Sequence, residues 1–242
     1  MLANMGYAAM LLKRTFRMAA GLALALACHA PALADDLSDF NRAVETAMSH
    51  HRVAAGYLRT ENVDLATLEI EGMRAAWGKV STLPRPAAFR DKEKYTATML
   101  DIAARLIGTT LVLNLGRTDV ARESLAAIRS ALSELRRQNG VAVLADCVLD
   151  ANVAMDALFA HDKDPDWESV AAGSESYRAT LRRCDGMAGG FRDHAEFRRL
   201  IDGALASLAQ VPKAIDARDG DLLHRLLIEL RSFDHLLAFR YG

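Results

Sequence analysis

Apolar residues return along this chain every three or four positions, in runs of about 20 residues parted by short breaks. That spacing belongs to helices with one buried face. The first run covers about Leu37 to Leu58, with Leu37, Phe40, Val44, Met48, His51 and Ala55 on one stripe. The second, about Val63 to Val80, carries Leu65, Met73, Ala76, Trp77 and Val80 and stops before Pro84 and Pro86, which cannot continue a helix. A third, about Asp91 to Leu115, shows Tyr95, Met99, Ile102 and Leu106 and closes on Gly116. The fourth begins near Thr118, follows Leu125, Ile128, Leu132 and Leu135, and ends at Asn139-Gly140.

The pattern then starts again. A fifth helix is predicted over about Val141 to Ala160, with Leu144, Cys147, Val148, Ala151, Met155 and Leu158 inward. Asp164-Pro165 is predicted to open a sixth, with Pro in its first turn and Trp167, Val170, Tyr177, Leu181 and Cys184 on its stripe. The seventh, about Asp193 to Val211, uses Phe197, Leu200, Ile201, Ala204 and Leu208 and is expected to stop at Pro212. The eighth runs from about Asp221 on Leu223, Leu226, Leu227, Leu230, Phe233 and Leu237. Sliding the chain along itself lays Ser133-Glu134-Leu135-Arg136 over Ile228-Glu229-Leu230-Arg231, a thin identity on a matching order of helices. The fold class is therefore all-α. The expected arrangement is two tandem up-down-up-down four-helix bundles, residues 35–140 and 141–242. The same pattern also allows one fused eight-helix domain.

Ahead of these helices lies a different kind of segment. Lys13, Arg14 and Arg17 precede the apolar run Met18 to Cys28, and Ala32-Leu33-Ala34 stands just before Asp35. A basic start, a short apolar run and an A-x-A site make a secretory signal peptide cut after Ala34. The apolar run is about 11 residues, too short to stay as a membrane-crossing helix at ~1.5 Å per residue. Cys28 lacks the Leu that a lipidated cysteine has three residues before it, since Ala25 stands there. The mature chain keeps 27 basic against 31 acidic residues, a formal charge of −4. That charge is no footprint for nucleic acid or anionic lipid. With no later segment read as a membrane span, the expected location is the periplasm of a Gram-negative cell.

Met73-Arg74-Ala75-Ala76, the Leu83-Pro84-Arg85-Pro86 break, Leu100-Asp101-Ile102 and the Asp119 to Arg136 helix together resemble the cytochrome c-prime and soluble periplasmic cytochrome b group. The resemblance covers about 100 residues of the first unit and, more faintly, the second. It implies exported four-helix bundles that hold haem with a ligand from the last helix. In covalent members that ligand lies in Cys-x-x-Cys-His; in b-type members it is a lone His joined by a Met from the first helix. This chain has no Cys-x-x-Cys-His, so covalent c-type haem is excluded. Its late histidine, His235, stands in a Phe-Asp-His-Leu-Leu-Ala-Phe-Arg ending like the family's. On a helical wheel, however, it lies roughly 140° from the apolar stripe, and the first unit has Gly140 at the equivalent place. The family's haem site therefore reads as lost, with a b-type haem on His235 as the alternative.

Three further features carry candidate chemistry. Cys147 and Cys184 are the mature cysteines and lie on inward stripes, at equal distances from the turn near Pro165. Antiparallel helices then place them side by side, which predicts a disulfide in an oxidising compartment. Met48, Met73 and Met99 fall in one layer of the first unit, with His51 one turn from Met48. Thioethers and an imidazole suit Cu(I), although methionine is also a filler of cores. A buried His51 needs a hydrogen-bond partner in either case. Arg182-Arg183 and Arg198-Arg199 read most simply as solvated faces, with an anion site between the sixth and seventh helices as the alternative.

No Gly-x-Ser-x-Gly, phosphate loop or His-Glu-x-x-His is present. The expected function is a non-catalytic, exported helical-bundle protein that binds a periplasmic protein or small ligand and holds no cofactor. The alternative is a copper or b-type haem carrier using Met48, His51, Met73 and Met99, or His235.

Overall fold

The computed structural model describes residues 30–242, and every regular segment in them is helical. In chain order these are α1 (Ala30–Arg59), α2 (Val63–Thr82), α3 (Lys92–Asn114), α4 (Thr118–Gln138), α5 (Leu144–Phe159), α6 (Trp167–Met187), a 3-10 turn (Gly189–Phe191), α7 (Ala195–Leu208), α8 (Val211–Ala217) and α9 (Gly220–Tyr241). The basic and apolar parts of the expected leader lie outside the described residues. The chain is already helical at Ala30, ahead of the expected cut after Ala34.

Local chemistry accounts for the helix ends. Asn62, Asp91 and Asp219 accept the backbone N–H of Leu65, Lys94 and Leu222, which caps α2, α3 and α9. Gly116 and Gly140 adopt φ of +73° and +67° after α3 and α4, the left-handed conformation that lets a helix stop. Two proline expectations are corrected. Pro165 lies before the N-cap Asp166 rather than inside α6, and Pro212 does not end a helix but sits in the first turn of α8. Proline lacks an N–H that a first turn leaves unpaired anyway, so the same residue can stop one helix and start another.

Two separate hydrophobic cores result. The first runs from Phe40 to Leu135 and is built where α1 packs on α2, α2 on α3, α3 on α4, and α4 on α1. Phe40, Phe89 and Tyr95 stack at one end of it, with ring centroids 5.3 to 6.0 Å apart. Val141, expected to begin the next unit, still packs on this core, and α5 starts only at Leu144. The second core runs from Cys147 to Leu237, formed by α5 on α6, α5 and α7 on α9, and α8 against α6 and α9. Cys147 and Cys184 are buried in it and joined by a disulfide with a Cα–Cα distance of 5.4 Å, as their equal heights on facing helices predicted. Gly203 lets α7 and α9 close together; a Cβ there would stand 2.5 Å from Phe233 Cζ.

α3 departs from the expectation that no segment after the leader has the makeup of a membrane span. By length and composition it is long and apolar enough to cross one. The reason is a second apolar face: Tyr95, Met99, Ile102 and Leu106 enter the core, while Leu100, Ile107 and Leu111 stay exposed.

The two cores meet along α1, α4, α5 and α9. Arg136 of α4, almost fully buried, forms an ion pair of 3.3 Å with Asp146 of α5. Burial pushes the Asp146 carboxyl up, and Arg136 opposes that. Arg52 of α1 donates to the carbonyl oxygen of Gly242 at 2.8 Å and pairs with Glu45 at 2.5 Å.

Candidate functional site

The junction between the cores leaves a cavity of about 210 Å³. One helical stripe from each neighbour builds it. α1 supplies His51, Arg52, Ala55 and Arg59, at the spacing of successive turns. α4 supplies Arg129, α5 supplies Asn152 and Asp156, and α9 supplies Arg231, His235, Ala238 and Phe239. Four arginines therefore face a single carboxylate. Asp156 pairs with Arg231 at 3.6 Å, and the Arg231 guanidinium also stacks on Phe159 at 4.0 Å. Among the described residues neither Arg59 nor Arg129 forms an ion pair. Arg129 Nη2 is buried with no hydrogen-bond partner. Burial and the Arg52 guanidinium draw the Arg129 pKa down from its ordinary value.

His51 is the buried histidine of this wall, 5% exposed. Its Nε2–H donates to the carbonyl oxygen of Leu125 on α4, at 2.8 Å. A carbonyl only accepts, so Nε2 carries the proton and Nδ1 of the neutral ring is an acceptor. That Nδ1 is buried and has no partner. Burial lowers the His51 pKa to about 4; the bond to Leu125 opposes the shift, and Arg129 and Arg52 add to it.

On the buried face of α9 lies a second polar group that the sequence did not announce. Asp234 is 1% exposed. Asn152 Nδ2 donates to its Oδ2 at 2.7 Å, and the Tyr177 hydroxyl donates to its Oδ1 at 3.4 Å. Burial raises the Asp234 pKa to about 6. The Asn152 bond opposes this, Asp156 adds to it, and Tyr177 and Arg129 pull the other way. Burial and Asp234 in turn push the Tyr177 phenol well up. Asn152 thus belongs to both places, lining the cavity and holding Asp234.

The residues singled out in the sequence fall in three places. Met48, Met73 and Met99 are buried in the first core, as is His51. His51 has its Nε2 committed to Leu125, so a metal there would have to take it through Nδ1. His235 is exposed and faces the cavity beside Arg59 and Arg231 rather than entering the second core. Burial, then Arg231 and Arg59, lower its pKa. His235 stands at the exposed rim of the cleft between arginines, not facing into the second core as the ligand of a core-bound haem would. One arginine of each pair noted in the sequence is engaged elsewhere, Arg183 by Asp150 at 2.6 Å and Arg198 by Asp185 at 2.7 Å and Asp202 at 2.9 Å. Among the described residues no three His, Cys, Asp or Glu side chains gather as a metal site.

Arg52, Arg59, Arg129, Asn152 and Arg231 were missed. The available signal was a polar stripe beside the apolar one on each helix: Arg52 and Arg59 on α1, Asn152 and Asp156 on α5, Arg231 and His235 on α9. Comparison with known proteins finds no family model, no curated protein and no solved structure that matches this chain.

Proposed function

We propose that the mature chain is an exported, non-catalytic binding protein, a haem-free relative of the cytochrome c-prime group arranged as two tandem four-helix units, whose ligand sits in the cavity between them. The observation that carries the binding role is the cavity wall itself. Four arginines line it against the one carboxylate Asp156, and among the described residues Arg59 and Arg129 form no ion pair. Guanidinium groups without a partner are ready to bind the oxygens of an anionic group. The separate cores support the two-unit arrangement, with α8 as an added short helix in the second. The alternative, a copper carrier, rests on Met48, Met73, Met99 and His51 sharing one core.

The test is to express the full chain in a Gram-negative cell supplied with haem and copper and recover it from the periplasm. Mass, absorbance spectrum, metal content and native mass spectrum are then recorded on one preparation. The expected product begins at Asp35, is colourless and metal-free, and carries a small non-covalent molecule. A Soret band or near-stoichiometric copper would hand the role to the cofactor reading.

A further inference from the structure

α3 has more apolar surface than its own core uses. Tyr95, Met99, Ile102 and Leu106 enter the core, while Leu100, Ile107, Leu111 and, just past the helix end, Leu115 are each 54–76% exposed. The helix packs on α2 and α4, and the second core meets the first along α1 and α4, so neither covers this outer face. The exposed positions Ala97, Leu100, Ala104, Ile107 and Leu111 recur at alternating spacings of three and four. That is a heptad seam, the pattern by which one helix packs along another.

Area narrows the choice of occupant. A fully buried Leu is worth up to ~3 kcal/mol at ~25 cal/mol per Å², or about 120 Å², so the four large residues expose about 300 Å² on each copy. Facing each other, two copies bury about 600 Å² from these residues alone; at an apolar share of about 60%, that supports an interface of about 1,000 Å². This is the lower bound for a specific contact and suits a reversible one.

The seam fits its own copy read backwards. With a two-fold axis beside Ala104, an antiparallel second α3 sets Leu100 of each copy against Ile107 of the other, and Ala97 against Leu111. Ala104 then meets its own counterpart, and small residues at the centre let the two helices approach closely. On the flank, Gly108 adds open space, since a Cβ there would meet nothing within 4 Å. It borders a shallow groove between α3 and α4 lined by Val112, Val120 and Ala127, with room for the edge of a partner side chain.

Charge favours the same orientation. Lys92 and Lys94 stand in the first turn of α3, the positive end of the helix dipole, and its last turn has no basic residue. Among the described residues neither lysine forms an ion pair. Antiparallel pairing carries both to the negative C-terminal end of the other copy's α3. Asp101 and Arg105, joined within α3 at 2.7 Å, lie on either side of the same axis, so each meets the opposite charge of the other copy. Such exposed charges set register and orientation more than strength. We propose that the outer face of α3 is the interface of an antiparallel, two-fold dimer of this chain, held by Leu100, Ala104, Ile107 and Leu111.

The experiment is sedimentation velocity of the protein over a concentration series from about 1 to about 300 µM, because an interface this small belongs at the micromolar end of affinity. The wild type should pass from monomer to dimer across the series. Ile107→Glu and Leu111→Glu, at exposed positions, should each weaken dimerisation about a hundredfold by burying an unpaired carboxylate, with the melting temperature of the dilute protein unchanged. Leu68→Glu, at a comparably exposed leucine of α2, should leave dimerisation as it is. Cysteine cross-linking reads the orientation. Under mild oxidation Ala104→Cys should link two copies, and in a mixture Ala97→Cys and Leu111→Cys chains should link to each other in preference to themselves.

A monomer at every concentration would overturn the proposal. A dimer that survives both glutamate substitutions would overturn it as well, since it would use another face. Preferential linking of Ala97→Cys chains to one another would mean a parallel pair and refute the antiparallel seam. A parallel run adds vesicles of phosphatidylethanolamine and phosphatidylglycerol. Vesicle binding that Ile107→Glu abolishes, with no dimer in solution, would give the face to a membrane surface instead of a second copy.

Discussion

His51 and Asp234 should pull the stability of this protein in opposite directions over the same stretch of acid pH. His51 is neutral in the folded chain, with its pKa lowered from 6.5 to about 4. Below 6.5 the unfolded chain takes up a proton that the folded chain refuses, so stability falls as pH drops toward 4. Asp234 does the reverse, with its pKa raised from 3.8 to about 6. Below 6 the folded chain takes up a proton that the unfolded chain does not yet want, so stability rises as pH drops toward 3.8. Integrated from about pH 6.5 to about pH 5, each group contributes a change of about 1.5 kcal/mol, with opposite signs. The wild type should therefore show little net slope from this pair. The perturbations are Asp234→Asn and His51→Phe, and the assay is urea unfolding followed by far-UV circular dichroism at closely spaced pH values. Relative to wild type, Asp234→Asn should lose about 1–1.5 kcal/mol across that window on acidification, and His51→Phe should gain about as much. Constant offsets from altered packing cancel in the slopes. Curves for both variants that run parallel to the wild type would refute the assignment of buried neutral His51 and buried proton-binding Asp234.

Other outcomes follow from the same contacts. Arg129→Gln should raise both pKa values, because Arg129 lowers that of His51 and that of Asp234; NMR titration of the His51 ring and the Asp234 carboxyl would show it, and a downward move of either would contradict it. Reducing the Cys147–Cys184 bond, which spans 37 residues, should cost about 3–4 kcal/mol by loop-closure entropy and lower the unfolding midpoint in urea. An unchanged midpoint would mean that the bond constrains nothing in the unfolded chain. Gly203→Ala should destabilise by about 1–3 kcal/mol, since its Cβ meets the ring of Phe233, whereas Gly78→Ala, with open space around it, should be neutral or stabilising. Thermal melts of the two variants side by side would check that contrast.

The helices were legible because burial of one face leaves a period near 3.6 in the letters, and Phe40, Val44 and Met48 or Leu223, Leu227 and Leu230 display it plainly. The disulfide was legible for a related reason: equal counts from a common turn fix equal heights on antiparallel helices. Proline was less legible, as Pro165 and Pro212 show, because one chemical property both forbids a helix interior and suits a first turn. The cavity was not legible. Its arginines come from different helices that meet only where the two cores touch, and no local pattern records how the cores lie against each other. On a single helix, Arg52 and Arg59 look like any solvated face. The partner of His51 is likewise distant: the Leu125 carbonyl lies 74 residues away, and a backbone acceptor leaves no mark in the sequence.

The central claim is that the junction between the cores is the binding seat, and chemical-shift mapping tests it most directly. Amide and imidazole shifts of the labelled protein would be followed while phosphate, an anion that guanidinium groups bind, is added. The account predicts saturable changes confined to the cavity walls on α1, α4, α5 and α9, led by the Arg59 side chain and the His235 ring. Changes centred on Met48, Met73 and Met99, or scattered over the surface without saturation, would contradict it.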